Sequence, residues 1–235
     1  MDIGQAIIDA FALLLHGDSE LWQIVGISLK TSLIALTIAS PLAVALGYLI
    51  AAHGFRGRRL LIWGLQVSLS IPTVLIGLLL YLLLSRQGWL GSLQWLFTQN
   101  GIIAGQIWIA LPVLAAMTLN AVQGADSRIA ETALTLGAGR WRVMWTVLSE
   151  LRFALVAALI HGFGRVLSEV GCAMMVGGNI AGVTRTITTA IALETSKGEF
   201  AQGIALGVVL IACALLMNLV LFLVQGGTYN AEHLR

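Results

Sequence analysis

The chain has 235 residues, of which 58% are hydrophobic and 10% charged, with a mean hydropathy of +0.93. This composition, with apolar runs longer than about 18 residues, predicts an integral membrane protein and argues against a soluble domain. A formal net charge of only +2 excludes a large basic surface for nucleic acid, and Cys172 and Cys213 lie in apolar runs without the spacing of metal ligands or a disulfide framework.

A short apolar patch, IIDAFALLL at residues 7–15, opens the chain. It is too short to cross about 30 Å of hydrocarbon, and Asp2 and Asp9 are atypical of a cleaved signal peptide. We therefore expect an uncleaved interfacial or packing helix, within an outer N-terminal segment at residues 1–25.

Five apolar runs predict membrane-spanning helices. They are residues 26–52, 61–85, 102–122, 153–177 and 202–225. None alternates like a barrel strand, so we expect an all-α, polytopic membrane helical bundle that forms one transmembrane domain, residues 1–235. Pro41, Pro72 and Pro112 lie inside three of these spans, and each is expected to bend its helix because proline has no backbone donor.

The distribution of basic residues between the spans predicts the orientation. Seven arginines follow the first and third spans, against three basic residues after the second and fourth. The first group is Arg56, Arg58, Arg59, Arg128, Arg140, Arg142 and Arg152, and the second is Arg86, Arg185 and Lys197. We expect a multi-pass protein of the cytoplasmic membrane, with the N-terminus outside and the C-terminus in the cytoplasm.

The loop at residues 123–152 contains two short amphipathic stretches on either side of Gly137 and Gly139. Their apolar residues recur with helical spacing: Ile129, Ala133 and Leu136, then Trp141, Trp145 and Leu148. Two interpretations are open. The stretch is either a helical hairpin lying on the membrane surface or a docking element that fills a groove on a soluble partner.

This loop resembles the EAA motif of permease subunits of ATP-binding-cassette (ABC) importers. Glu131, Ala133 and Gly137 match the motif, and Val147 matches its aliphatic residue ten positions further on. The resemblance implies the fold of a type I importer permease, with residues 123–152 as the cytoplasmic loop whose coupling helix sits in a cleft of an ATPase.

The resemblance also implies roles for individual residues of the loop. Glu131 would orient the coupling helix, and Gly137 would allow its tight turn. The residues nearest the ATPase would be Ala138, Gly139 and Arg140. The motif ends in Leu and Pro where this chain has Ser149 and Glu150, which can continue a helix, so the exit from the hairpin is expected to differ.

Charged residues are costly inside a span, and the fourth span contains His161, Arg165 and Glu169 on one helical face. Arg165 and Glu169 have the i,i+4 spacing of an ion pair. The pair is either a structural element or a contact for the solute. As a structural element it would face the bundle or a dimer interface. Similar spacing occurs in oxyanion permeases and fits both interpretations.

Residues 173–200, expected outside the membrane, are rich in glycine and threonine. Backbone donors near glycine, hydroxyls and one cation suit a tetrahedral oxyanion, although an ordinary outer loop has a similar composition. The candidate anion-pathway residues are Asn179, Thr184, Arg185 and Thr186.

The whole chain is similar to permease subunits of tungstate importers, most distinctively at residues 164–171, GRVLSEVG, and 173–200. The resemblance implies a homodimer, two copies of a separate ATPase and an extracytoplasmic tungstate-binding protein. Permeases for molybdate or another oxyanion are the nearest alternative. An ATP-independent anion channel or carrier is the alternative from another class.

The sequence contains neither a GxxxxGK[ST] phosphate loop nor a spaced nucleophile and base. We therefore expect a transport subunit without catalytic residues, cofactor or metal of its own. ATP and Mg would be bound by the partner ATPase.

Overall fold

The structure, a computed structural model, describes residues 3–16 and 18–232, with side chains for residues 7–10, 12–15 and 18–223. Within these residues the chain forms α-helices and one 3-10 turn at Gly91–Leu93, without strands, which confirms the predicted all-α fold. The helices are α1 (Ile3–His16), α2 (Ser19–Ala52), α3 (Arg58–Leu69), α4 (Thr73–Leu84), α5 (Gln99–Gln123), α6 (Ser127–Thr135), α7 (Arg140–Glu150), α8 (Arg152–Leu167), α9 (Gly171–Gly177), α10 (Ile187–Lys197) and α11 (Phe200–Glu232).

In the described part of the chain, three helices are long and apolar enough to cross a membrane: α2, α5 and α11. They contain the predicted spans at residues 26–52, 102–122 and 202–225. Helices α2 and α5 continue unbroken through Pro41 and Pro112. Among the described residues, up to five spans result when the bent pairs α3 with α4 and α7 with α8 each count as one crossing. The number agrees with the five predicted, but the second pair covers residues 140–167 and not the predicted span at 153–177.

The predicted span at residues 61–85 is broken. Helices α3 and α4 meet at 98° across Ser70–Pro72, so this region is not one continuous helix. Pro72 precedes α4 with extended backbone and has no N–H with which to continue α3. The expected proline bend is therefore present here as a complete break.

The predicted span at residues 153–177 is also divided, into α8 and α9, by a break at residues 168–170. Glu169 lies in this break, and its Oε1 accepts a hydrogen bond of 3.0 Å from the backbone N–H of Cys172 in the first turn of α9. A carboxylate beside the first turn of a helix stabilises the start of that helix, because it accepts a free backbone N–H and complements the helix dipole. At the other end of α8, Leu151 joins it to α7 with a bend of 71°.

The region expected as an outer loop, residues 178–201, instead contains the helix α10. Thr186 begins α10 with a capping box, because its hydroxyl and that of Thr189 each bind the other's backbone N–H. Residues of this helix, Ile187 and Ala190, are completely buried. The stretch is a packed part of the bundle rather than a surface loop.

Small residues allow α2 and α5 to approach closely. Ala35, Ala39 and Ala43 recur every fourth residue on α2 and are completely buried, and Gly47 continues this row. A Cβ at Gly47 would lie 2.6 Å from the carbonyl oxygen of Ala115 on α5. Such rows of small residues stabilise helix pairs in membranes, where packing replaces the hydrophobic effect.

Helix α1 packs against α11, as expected for a packing helix that is too short to cross the membrane. Ala10 of α1 is 1% exposed and belongs to one apolar cluster with Leu21, Ala205 and Leu206. The first and last helices of the chain are therefore neighbours.

Replacing Gly47 by leucine is expected to destabilise the bundle by about 1–3 kcal/mol, because the new side chain collides with the α5 backbone. The melting temperature of the detergent-purified protein measures this. Gly26→Leu on the same helix is the control, since a Cβ at Gly26 meets no atom within 4 Å. Equal melting temperatures for the two variants would contradict the close α2–α5 contact.

Candidate functional site

Helices α6 and α7 form a hairpin whose turn is closed at Gly137. The N–H of Ala138 donates to the carbonyl of Ala133 at 3.0 Å, and the N–H of Gly137 donates to that of Leu134 at 2.9 Å. These two bonds are the Schellman motif, which requires left-handed backbone at the glycine. Gly137 has φ of +79°, so the residue fits the conformation that the turn imposes.

The start of the hairpin is fixed by Asp126, the N-cap of α6. Its carboxylate accepts hydrogen bonds from the side chain of Arg128 and from the Arg128 backbone N–H, the latter at 2.9 Å. The side-chain hydrogen bond, followed by the backbone bond, lowers the pKa of Asp126. The hairpin therefore begins with a charge-stabilised helix end.

One face of the hairpin is anchored and the other is open. Ala133, Val143 and Val147 are buried in one cluster with Tyr48 of α2. Leu136, Trp141 and Trp145 are 82%, 68% and 57% exposed, and the two indole rings contact each other edge to face with centroids 6.1 Å apart. Such exposed aromatic side chains suit either a membrane surface or a protein partner.

A groove of about 510 Å³ runs between the two hairpin helices. Its walls combine apolar side chains with two arginines and two threonines, namely Arg128, Ile129, Thr132, Ala133, Leu136, Ala138, Arg142 and Thr146. Among the residues singled out from the sequence, Glu131, Gly139 and Arg140 are exposed, Ala138 is half-buried and Ala133 is buried. Together with Gly137, these five residues share one hairpin, with Ala133 in its anchored face.

The predicted ion pair between Arg165, in the last turn of α8, and Glu169, in the break that follows, is present. Arg165 Nη1 donates to Glu169 Oε2 at 3.0 Å, with the Arg165 side chain 41% exposed and that of Glu169 only 3% exposed. The backbone carbonyl of Glu169 accepts a hydrogen bond of 2.7 Å from the hydroxyl of Thr188. Glu169 therefore joins α8, α9 and α10 at one point.

The candidate anion-pathway residues lie together, but their polar groups point largely into the protein. The Thr184 hydroxyl is buried, donates to the carbonyl of Gly177 at 2.6 Å and accepts from the N–H of Ile180 at 2.9 Å. Thr186 is the buried cap of α10, and Asn179 Nδ2 donates to the carbonyl of Thr189 at 3.3 Å. These groups hold the segment in shape.

Arg185 forms an ion pair with Glu20 at the start of α2, with 2.9 Å between Nη1 and Oε1. Its side chain is 13% exposed, and its Nε is buried without a hydrogen-bond partner. Sequence reasoning missed Glu20, together with Gln23 and Gln99, whose side chains donate to the carbonyls of Gly182 and Val183. Glu20 was detectable only as a polar residue just before the first span, which gives no sign of its partner.

The hairpin and the Arg185 segment lie at opposite ends of the bundle. The hairpin packs on Tyr48, near the end of α2, whereas Arg185 binds Glu20 at its beginning. At 1.5 Å per residue these two positions are roughly 40 Å apart, more than the hydrocarbon thickness of a bilayer. Within the described residues, no cluster of three or more His, Cys, Asp and Glu side chains suits a metal ion.

A bundle of membrane-crossing helices with an open helical hairpin at one end is the architecture of an integral-membrane transport subunit. Residues 43–227 match the family described as "Binding-protein-dependent transport system inner membrane component". This match covers more than half of the chain, and the protein belongs to that family.

Named relatives agree with this assignment. The tungstate uptake system permease protein TupB of Campylobacter jejuni is 39% identical, over 90% of this chain and 88% of that protein. TupB of Peptoclostridium acidaminophilum is 36% identical, over 92% of this chain and 95% of that protein. The molybdenum transport system permease protein ModB of Escherichia coli is 31% identical, over 76% of this chain and 82% of that protein.

A solved structure supports the fold. A chain of the bacterial alginate ABC transporter, crystallised in complex with an alginate pentasaccharide-bound periplasmic protein, has a TM-score of 0.74. The match covers 91% of this chain and 81% of that chain at 18% sequence identity. The likeness therefore concerns the arrangement of helices.

Thr184→Val is expected to lower the free energy of unfolding by about 1–3 kcal/mol, because it removes both hydrogen bonds of a buried hydroxyl. Thermal unfolding of the purified protein measures the change. Thr146→Val is the matched control, since the Thr146 hydroxyl is exposed and bonds only within its own helix. An unchanged melting temperature for Thr184→Val would contradict the structural role of this hydroxyl.

Proposed function

We propose that the chain is the transmembrane permease subunit of an ABC importer that translocates tungstate across the cytoplasmic membrane. The observation that carries the proposal is the identity of 36–39% to two tungstate uptake permeases over about nine-tenths of the chain. The buried hydroxyls and the cation of the Arg185 segment are compatible with an oxyanion path.

The proposed complex contains two copies of this chain, two ATPase subunits and an extracytoplasmic tungstate-binding protein. The hairpin of α6 and α7 docks in a cleft of the ATPase, with Glu131 orienting it and with Ala138, Gly139 and Arg140 nearest the partner. Its exposed tryptophans and arginine-lined groove support a protein contact. ATP and Mg are bound by the ATPase, and this chain contributes motion rather than catalytic groups.

In this proposal the N-terminus is outside and the hairpin is on the cytoplasmic side. The excess of arginine in the loops after the first and third spans supports the orientation. The distance of roughly 40 Å between the hairpin and the Arg185 segment supports their placement on opposite sides of the membrane. Arg185 then lies at the outer mouth, while Thr184, Thr186 and Asn179 maintain the shape of that mouth.

The transport cycle follows from this arrangement. The loaded binding protein docks on the outer side, and ATP closes the ATPase dimer. Because the hairpin is anchored on α2 through Tyr48, its movement is transmitted directly to a membrane-crossing helix. The two bundles open outward to accept the anion, and hydrolysis returns them to the inward-open state.

Molybdate is the second candidate solute, favoured by the relationship to a molybdenum transport permease. Molybdate and tungstate have the same charge and shape, so selectivity is assigned to the binding protein.

Deleting the gene is expected to reduce cellular tungsten when both oxyanions are supplied at trace concentration. Mass spectrometry of tungsten and molybdenum in wild-type, deletion and complemented cells measures this. Loss of tungsten alone supports a dedicated tungstate importer, and equal loss of both metals supports a general oxyanion importer. Unchanged content of both metals would contradict the proposal.

Gly137→Val is expected to abolish uptake without preventing membrane insertion, because a β-branched residue is strained at a φ of +79°. Gly137→Asn is the control for added bulk, since asparagine is of similar size, tolerates left-handed backbone, and a new Cβ at Gly137 meets no atom within 4 Å. Uptake and ATPase stimulation by the loaded binding protein are compared in proteoliposomes. Normal uptake by Gly137→Val would contradict the coupling role.

A further inference from the structure

One stripe of α8 is small and polar although the helix lies in an apolar region. At helical spacing the stripe contains Ala154, Ala157, His161, Gly164, Arg165 and Ser168. Five of these residues are exposed and Ala157 is half-buried. The neighbouring face is packed, since a Cβ at Gly162 would lie 2.8 Å from Leu114 of α5. Packing therefore fixes the direction in which the stripe points.

Contact with hydrocarbon is unsuitable for this stripe. A guanidinium and an imidazole are costly against lipid tails, and both belong to the segment predicted to cross the membrane. Arg165 precedes the apolar helix α9 and is thus not at the end of the apolar segment, where a long side chain reaches the headgroups. The stripe requires water or polar groups in front of it.

The ion pair is asymmetric. Glu169 is 3% exposed, and its two oxygens are used by the Cys172 N–H and by Arg165. Arg165 is 41% exposed, and its contact with Glu169 uses one of the five N–H donors of a guanidinium. The cation of the pair is therefore far more exposed than the carboxylate. Glu169 holds the guanidinium in place, and the described residues offer its other N–H donors no further partner.

A second pair in the chain shows which feature is distinctive. Lys197 Nζ and Glu194 Oε1 are 3.0 Å apart, with side-chain exposures of 48% and 4%. This pair lies at the C-terminal end of α10, beside the polar residues Ser196 and Glu199, where water solvates an exposed cation. Arg165 has the same exposure pattern inside an apolar segment, so its location and not its geometry is unusual.

The geometry points to α8 as the wall of the translocation path, with the Arg165 guanidinium as a binding residue for the oxyanion and Glu169 as the residue that positions it. A guanidinium offers paired, charge-assisted N–H donors to two oxygens of a tetrahedral anion. His161 and Ser168 extend the polar stripe on either side of Arg165 along the helix. This inference rests on the proposed transport function.

Thiol accessibility tests whether the stripe faces water. Ser168→Cys changes one atom, and the control Leu216→Cys lies on α11 at a residue that is 60% exposed. Both are made in a Cys213→Ala chain, while Cys172 stays because it is 1% exposed. The complete transporter is reconstituted in lipid and treated with a charged methanethiosulfonate, with and without ATP. A thiol ionises in water, and the thiolate is the form that reacts. Ser168→Cys should therefore be labelled at least roughly tenfold faster than Leu216→Cys. Equal labelling rates for Ser168→Cys and Leu216→Cys, both with and without ATP, would overturn the inference.

Protection by anions tests Arg165 itself. Millimolar tungstate or molybdate should slow labelling of Ser168→Cys more when Arg165 is present than when it is replaced by Gln. Loss of one charge-assisted contact should raise the anion concentration needed for protection about tenfold. Arg165→Lys should retain part of the protection, since the charge remains. Equal protection with Arg165 and with Arg165→Gln would overturn the assignment.

Uptake kinetics separate binding from stability. Lys197→Gln is the matched control, because it also leaves a buried carboxylate without its cation. Both glutamine variants should lower the melting temperature, but only Arg165→Gln should raise the KM for the oxyanion, by about tenfold. An unchanged KM in Arg165→Gln would contradict the inference. If the unmodified transporter takes up neither tungstate nor molybdate, the proposed function fails, and the labelling and protection rates still decide the role of the stripe.

Discussion

The close contact between α2 and α5 is the constraint on which the rest of the bundle depends. Lipid tails are as apolar as leucine, so helices in a membrane associate through packing and hydrogen bonds. The row Ala35, Ala39, Ala43 and Gly47 brings the two longest internal helices together, and α8 then packs on them through Gly162. Helix α9 follows the same rule, because the Cys172 sulfur occupies the space that a Cβ at Gly105 would need. Close approach at glycine fixes each helix of this core.

The parts of the fold that follow from composition were predictable. Long apolar runs identified α2, α5 and α11, and glycines between two amphipathic repeats identified the hairpin of α6 and α7. A bend at Pro72 was predicted, but the complete break at residues 70–72 and the break at residues 168–170 were not, because each lies inside a long apolar run. The second break depends on Glu169, whose carboxylate accepts from the start of α9 and whose backbone carbonyl accepts from Thr188 on α10. No local sequence pattern reports these contacts.

The candidate site likewise contains contacts that the sequence predicts and contacts that it does not. The Arg165–Glu169 pair was predicted correctly because its i,i+4 spacing is local. The composition of residues 178–201 suggested hydroxyls open to an anion, whereas Thr184 and Thr186 use theirs to shape the backbone. The partner of Arg185 is Glu20, 165 residues earlier in the chain, and a single sequence contains no signal that joins them. Tertiary contacts therefore decide which polar groups remain free.

The packing of α1 against α11 has a consequence for biosynthesis. The ribosome delivers α1 well before α11, so the apolar side of α1 around Ala10 lacks this native neighbour until α11 has been made. The Arg185–Glu20 pair likewise closes only when most of the chain has been inserted. A chain that stops before α11 leaves this side of α1 uncovered, so α1 has no settled packing partner until the later helix arrives.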